Sequence, residues 1–355
     1  MRSKSSHRTN LSAVAFLAAA GFLLGLAIAN QAQSGRPTPT PPDRTGSIDD
    51  GDTIKVRTDE VMIPVTVRNS EGKRVEGLTP ADFMIFDNGK RQEIAGFNRE
   101  RTPVQVILLL DASGSVFEHM EFIRESAIKF VAALRPEDSV SVMQFADDVQ
   151  LLQDWTSAGN SSVISKALNK RYRPGLSTSF YDGVYLAAKE QMAKVSGRKI
   201  IILLTDGIDM PKVKHANRVD AVKALRYSEA ALYVISLTGI LRNNYQNATG
   251  NTKTKQVMRG YDPRQVKQDQ QTINDAEDSL SEMATISGGY MFLPLLEEDL
   301  KESLQAISEE LRSQYIITYR PTSAPRSGEW RDIKVLVGSG GLEVQARDGY
   351  RGRAD

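Results

Sequence analysis

Three short segments of this chain collect side chains that could do chemistry together. Asp111-Ala112-Ser113-Gly114-Ser115 puts one carboxylate and two hydroxyls on alternate residues of a tight loop, so all three can point at a common centre. Leu204-Thr205-Asp206-Gly207 closes an apolar run and adds a second carboxylate. Between them, Gly175-Leu176-Ser177-Thr178-Ser179-Phe180-Tyr181-Asp182 offers the Thr178 hydroxyl. Hard oxygen donors of this kind suit Mg²⁺, Mn²⁺ or Ca²⁺ and not a soft metal. The rival reading is local, because Asp and Ser are favoured at turns and helix N-caps wherever a strand runs into a helix. Thr178 and Asp206, on two further loops, favour the metal.

Other chemistry is scarce. The absence of cysteine excludes disulfides, thiolate zinc sites, Fe–S clusters and a Cys nucleophile. His7, His119 and His215 are the whole histidine supply and lie far apart. A hydrolase using metal-bound water would lack a recognisable general base. Lys and Arg number 45 against 44 Asp and Glu, a net charge of +1, so no basic surplus exists for nucleic-acid phosphates. His119 is expected at the surface and Asp182 as a helix N-cap, with Asp209 an acidic neighbour. Glu297-Glu298-Asp299 should do no more than complement a helix dipole. Trp155 and Trp330 read as core or edge packing.

The elements that must position these residues are legible from pattern. Val104–Leu110 (VQVILLL) and Lys199–Leu204 (KIIILL) are unbroken apolar runs, as expected of strands buried on both faces of a parallel sheet. Ser139–Phe145 and Val149–Trp155 predict a strand pair, and Ala231–Leu237 and Tyr290–Leu293 two more strands. Helices are expected over Phe117–Leu134, Ser161–Lys170, Asp182–Val195, Val219–Ala230, Asp275–Ser287 and Glu297–Ser313. Residues 239–272 are polar and without period, which predicts an exposed insertion. Alternating strands and helices predict an α/β fold, a doubly wound and mostly parallel sheet flanked by helices, over 103–314. In such a sheet, ligands bind beyond the carboxyl ends of the strands, where Asp111 and Asp206 fall.

The flanks read as β. Val61, Ile63, Val65 and Val67 alternate with Met62, Pro64, Thr66 and Arg68, a strand with one face buried. Phe83–Phe86, the Asp87-Asn88-Gly89-Lys90 turn and Gln92–Phe97 predict a hairpin, and residues 53–101 together a small meander. Gln314–Arg320, Trp330–Val337 and Leu342–Ala346 predict strands within 315–355. Neither piece is large enough for its own core, so the two are expected to combine into one small all-β, sandwich-like domain with the α/β domain inserted between them. Residues 1–33, with Arg2, Lys4 and Arg8 before the apolar run Leu11–Ala29, read as a cleaved signal peptide, an uncleaved membrane anchor being the alternative. Residues 34–52 form a Pro/Thr-rich linker. An exported chain without disulfides suggests a bacterial periplasmic or extracellular protein.

Taken together, the motifs resemble the metal-ion-dependent adhesion site of von Willebrand factor A domains. The family's D-x-S-x-S matches Asp111, Ser113 and Ser115, its loop threonine Thr178 and its second aspartate Asp206. Leu176-Ser177 precedes the threonine where the family often has Gly-Gly or Gly-x. The flanking pieces resemble the VWFA-related acidobacterial group of secreted proteins. The resemblance implies that Ser113, Ser115 and Thr178 reach the metal directly, while the aspartates bind it directly or through water. It implies an open metal position for a Glu or Asp of a protein partner. The expected function is metal-dependent protein binding without catalysis. A structural envelope subunit with a stabilising metal is the alternative, and a metal-assisted hydrolase a more distant one.

Overall fold

The central sheet is built on the two apolar runs. A computed structural model describes residues 60–98, 102–243, 263–338 and 340–352, so the leader and linker lie outside the described residues. Strands β5 (Val104–Asp111) and β8 (Arg198–Thr205) pair in parallel at the middle of a six-stranded sheet. β6 (Ser139–Phe145) and antiparallel β7 (Val149–Ser157) continue it on one side. β9 (Ala231–Ser236) and β10 (Met291–Phe292) continue it on the other, both parallel. Leu108, Leu109, Leu110, Ile202, Leu203 and Leu204 are all fully buried, as strands covered on both faces require.

Helices cover the two faces. α1 (Met120–Ala133), α2 (Ser161–Arg171) and α6 (Asp299–Ser313) share one core with the sheet. Leu300, Leu304, Ile307 and Leu311 recur at helical spacing on the buried stripe of α6. α3 (Phe180–Leu186), α4 (Arg218–Ser228) and α5 (Pro263–Ser287) cover the opposite face. The result is a doubly wound, mostly parallel sheet flanked by helices. Among the described residues, no helix is long and apolar enough to cross a membrane.

Several boundaries differ from the expected ones. The helix expected from Phe117 is a 3-10 turn over Gly114–His119 followed by α1, because the donor loop enters the helix through a tighter turn. α3 starts at Phe180, not Asp182, and runs on through a π turn, Ala187–Gln191, into the 3-10 turn Met192–Lys194. α5 begins at Pro263, inside the stretch read as aperiodic, whose residues 244–262 lie outside the described ones. Gln270, Gln271, Thr272 and Asn274 are exposed, and the first residue of α5 described as buried is Ala276.

The flanking segments form two antiparallel four-stranded sheets. One has the order β13 (Glu343–Gln345), β1 (Val61–Arg68), β11 (Tyr315–Tyr319), β4 (Ile94–Asn98). The other has the order β14 (Gly349–Arg351), β12 (Trp330–Val337), β2 (Phe83–Asp87), β3 (Lys90–Gln92). Segments before and after the α/β region thus pair directly, Val61 opposite Tyr319 and Ile85 opposite Val335. Ile63, Val65 and Ile317 of one sheet share a core with Phe83, Ile85 and Ile333 of the other. The hairpin forms as expected, with positive φ at both Asn88 (47°) and Gly89 (75°). The meander does not form: β1 lies in one sheet and β2–β3 in the other. Gln92–Phe97 breaks at Glu93, so that β3 pairs with β2 and β4 with β11. β14, only three residues long, had no readable pattern.

Candidate functional site

Parallel register brings the two aspartates out of the sheet side by side. Leu110 lies opposite Leu204, so β5 ends at Asp111 just where β8 delivers Asp206. Both side chains are fully buried. Asp111 Oδ1 accepts a hydrogen bond from Ser113 N at 2.9 Å, and its Oδ2 accepts one from Thr205 Oγ1 at 2.6 Å. The Tyr172 hydroxyl donates to the Asp111 carbonyl and fixes the main chain there. Gly207, at φ 73°, turns the chain so that Ile208 N donates to Asp206 Oδ1 at 3.0 Å. Asp206 Oδ2 is buried with no hydrogen-bond partner.

The two serine hydroxyls gather at the same place. Ser113 Oγ and Ser115 Oγ are 3.1 Å apart. Ser113 is buried and Ser115 exposed, so the cluster reaches from the sheet edge to solvent. Thr178 is brought alongside through its backbone. It exchanges two bonds with Met210, of 3.1 and 2.9 Å, and Gly175 N donates to Ala112 O at 2.8 Å. Asp147, in the turn between β6 and β7, holds that loop by accepting from Ser177 N at 3.0 Å and Ser177 Oγ at 2.7 Å. Lys212 beside Asp147, then Ser177, hold its carboxyl well below the usual range.

Burial, and after it the charge of Asp206, pushes Asp111 up to about 7. Burial raises Asp206 as well. Two carboxylates withdrawn from water, without an ion-pair partner among the described residues, are unfavourable on their own. A buried oxygen with no donor needs an explanation. The donor chemistry fits a hard divalent cation, since two carboxylates balance its charge and the hydroxyls add none. Among the described residues, no group of three or more His, Cys, Asp or Glu converges, and this cluster is of a different make-up.

Three expectations for the surroundings are corrected. Asp182 is not the N-cap of α3; it is buried and accepts from His215 N and Ala216 N, while Ser179 stands at the cap and Asp209 Oδ1 accepts from Phe180 N at 3.0 Å. His119 is buried, with Nδ1 2.5 Å from Glu297 Oε1. Glu297 therefore does more than face a helix dipole: it ties the turn after Ser115 to the segment entering α6. Thr205, Tyr172 and Asp147 were missed from sequence. Thr205 could have been suspected beside Asp206, whereas nothing local marks Tyr172 or Asp147.

The sequence matches the von Willebrand factor type A domain over residues 105–292, more than half of the chain, and the chain belongs to that family. Members of this family often act in adhesion and protein interaction. No curated protein matches the sequence. Among solved structures, it is similar to the PilB minor pilin from Streptococcus sanguinis, at 15% identity and TM-score 0.39, over 63% of this chain and 64% of that one. It is also similar to proximal thread matrix protein 1 from the mussel byssus, at 16% identity and TM-score 0.44, over 64% and 51%. The pilus adhesin SpaC from Lactobacillus rhamnosus GG matches at 10% identity and TM-score 0.43, over 82% and 47%. The chain covers less than two thirds of each of these structures.

Proposed function

We propose that this chain is an exported protein-binding module in which Asp111, Ser113, Ser115, Thr178 and Asp206 hold Mg²⁺, or Mn²⁺ or Ca²⁺ in its place. The observation that carries the reading is the buried, unpartnered Asp206 Oδ2 beside a second buried carboxylate. When bound, the metal supplies a positive centre whose open position takes a Glu or Asp of a partner protein. The chain's own residues arrange this. Thr205 and Ser113 N aim the Asp111 carboxylate, Gly207 and Ile208 N aim Asp206, and Asp147 fixes the loop that carries Thr178. The apolar strands beneath hold all three loops at fixed spacing.

We assign no catalytic role to the site, because its carboxylates and hydroxyls would be spent on the metal and, among the described residues, the neighbouring acids Asp147 and Asp209 are paired with Lys212 and Lys214. Export rests on Arg2, Lys4 and Arg8 ahead of the apolar Leu11–Ala29. The flanking β segments support membership of the VWFA-related acidobacterial group. Calorimetric titration of the chain with MgCl₂, with melting curves in Mg²⁺ and in EDTA, tests the metal. Binding heat and a higher melting temperature in Mg²⁺ are expected, and a melting curve indifferent to both would overturn the reading. A protein retained from envelope extract in Mg²⁺ and released by EDTA would separate partner binding from a purely structural metal.

A further inference from the structure

Each of the three loops that carry oxygen donors also turns a large apolar side chain to solvent. Phe117 follows Ser115 by two residues and is 60% exposed; Leu176 precedes Thr178 by two and is 85% exposed. Met210, bonded through its backbone to Thr178, is 68% exposed, and Val213 is 63% exposed. The first two loops touch, since a Cβ at Gly114 would lie 3.6 Å from the Leu176 carbonyl oxygen. Leu295 and Leu296 are also exposed. They follow β10 at the same edge of the sheet, and the His119–Glu297 pair fastens their segment to the turn containing Phe117. Apolar side chains exposed singly are ordinary on a protein surface, but a contiguous patch around a polar centre marks an interaction site.

The charges around this collar narrow the occupant. Lys212 pairs with Asp147 at 2.9 Å, and Lys214 with Asp209 at 3.3 Å, so these two acids beside the Thr178 and Met210 loops are paired with cations. A divalent ion would balance Asp111 and Asp206, so the donor cluster itself would not repel an incoming carboxylate. A wholly polar segment would have nothing to bury against Phe117, Leu176, Met210 and Val213.

Building on the metal reading above, we propose that the site takes an extended segment of a partner protein whose central Glu or Asp is flanked by large apolar residues. The carboxylate goes to the metal, and its neighbours cover the collar and exclude water from the contact. Dehydration strengthens the charge interaction, and the apolar burial supplies selectivity among acidic segments.

The test uses the full chain, immobilised in Mg²⁺, and a phage-displayed library of eight-residue segments with a fixed central Glu and randomised neighbours. Bound phage are eluted with EDTA. Enrichment of Leu, Ile, Val, Phe and Met beside the Glu is the expected result. A synthetic peptide of the selected sequence should bind at least about tenfold more weakly when those neighbours become Ser. The double variant Leu176→Ser/Met210→Ser should lose a similar factor while keeping the Mg²⁺-dependent rise in melting temperature. Binders without apolar preference, undiminished affinity in the double variant, or no EDTA-eluted binders from protein whose melting still responds to Mg²⁺ would each overturn the proposal. So would an Mg²⁺-dependent dimer seen by light scattering, which would assign the face to a second copy of the chain. Melting that ignores Mg²⁺ fails the metal reading itself, and this proposal falls with it.

Discussion

Two regions of this molecule bury carboxylates completely and treat them in opposite ways. In the β-domain, Asp87 is fully buried and fully partnered. Its Oδ1 accepts from Arg331 Nε at 2.6 Å, and its Oδ2 from the Tyr319 and Tyr350 hydroxyls at 2.9 and 3.0 Å. Burial, reinforced by neighbouring charges including Asp87, holds both tyrosines well above their ordinary range, so they remain donors. At the edge of the central sheet, Asp111 and Asp206 lie equally deep, with hydroxyl and backbone donors only, and one oxygen has no donor at all. The first arrangement is closed and needs nothing from outside. The second leaves a buried oxygen unsatisfied, which the proposed metal would answer. A buried acid is therefore not by itself a functional mark; the mark is a buried acid whose neighbours leave it unsatisfied.

The comparison breaks most visibly if Arg331 is removed. Arg331→Met leaves Asp87 buried without its cation, and urea denaturation should show a loss of about 3–5 kcal/mol, the same in Mg²⁺ and in EDTA. Replacing both partners, Asp87→Leu with Arg331→Met, should recover most of it.

At the sheet edge the dependence on metal should invert. For the wild type at Mg²⁺ a hundredfold above its dissociation constant, stabilisation should be about 2.7 kcal/mol. Asp206→Ala should abolish that gain, yet leave the EDTA melting temperature unchanged or higher, because repulsion with Asp111 is relieved. Ser113→Ala and Thr178→Ala should each reduce the gain in part. If Ser113→Ala instead lowers stability by about 0.5–2 kcal/mol in both buffers, its hydroxyl acts only on local backbone.

The smallest effect concerns pH. With Asp111 raised to about 7, the metal-free folded state holds a proton that the unfolded chain releases near its ordinary carboxylate value. Stability from this group is full at low pH and is lost as pH rises toward 7. Between pH 6 and 7 in EDTA, urea denaturation should lose at most about 1.4 kcal/mol for one such proton. Asp206→Asn should flatten that slope. A slope of the opposite sign in the wild type would contradict the unpaired-carboxylate picture.

Much of the site was legible because its positions follow from local rules. An apolar run of strand length ends at a sheet edge, and the residues just beyond it are placed there whatever the rest of the chain does. That argument puts Asp111, Ser113, Ser115 and Asp206 at one sheet edge, whereas Thr178 was read as a hydroxyl on the loop opening α3; the alternation of elements determined the class of fold. The supporting residues obey no local rule. Asp147 sits in an ordinary turn acid's place and holds the Thr178 loop only because β6 and that loop meet in space. His119 looked like a surface residue, yet the turn after Ser115 swings it inward onto Glu297, 178 residues away. The division of the flanking strands between two sheets was equally hidden, since Gln92–Phe97 reads as one strand and only the competing edges of β2 and β11 split it at Glu93. The sequence by itself determined which segments are buried and which residues stand at their ends, because periodicity and turn chemistry act over a few residues. Which acids find partners, and which are left waiting for one, was decided only by contacts between segments far apart in the chain.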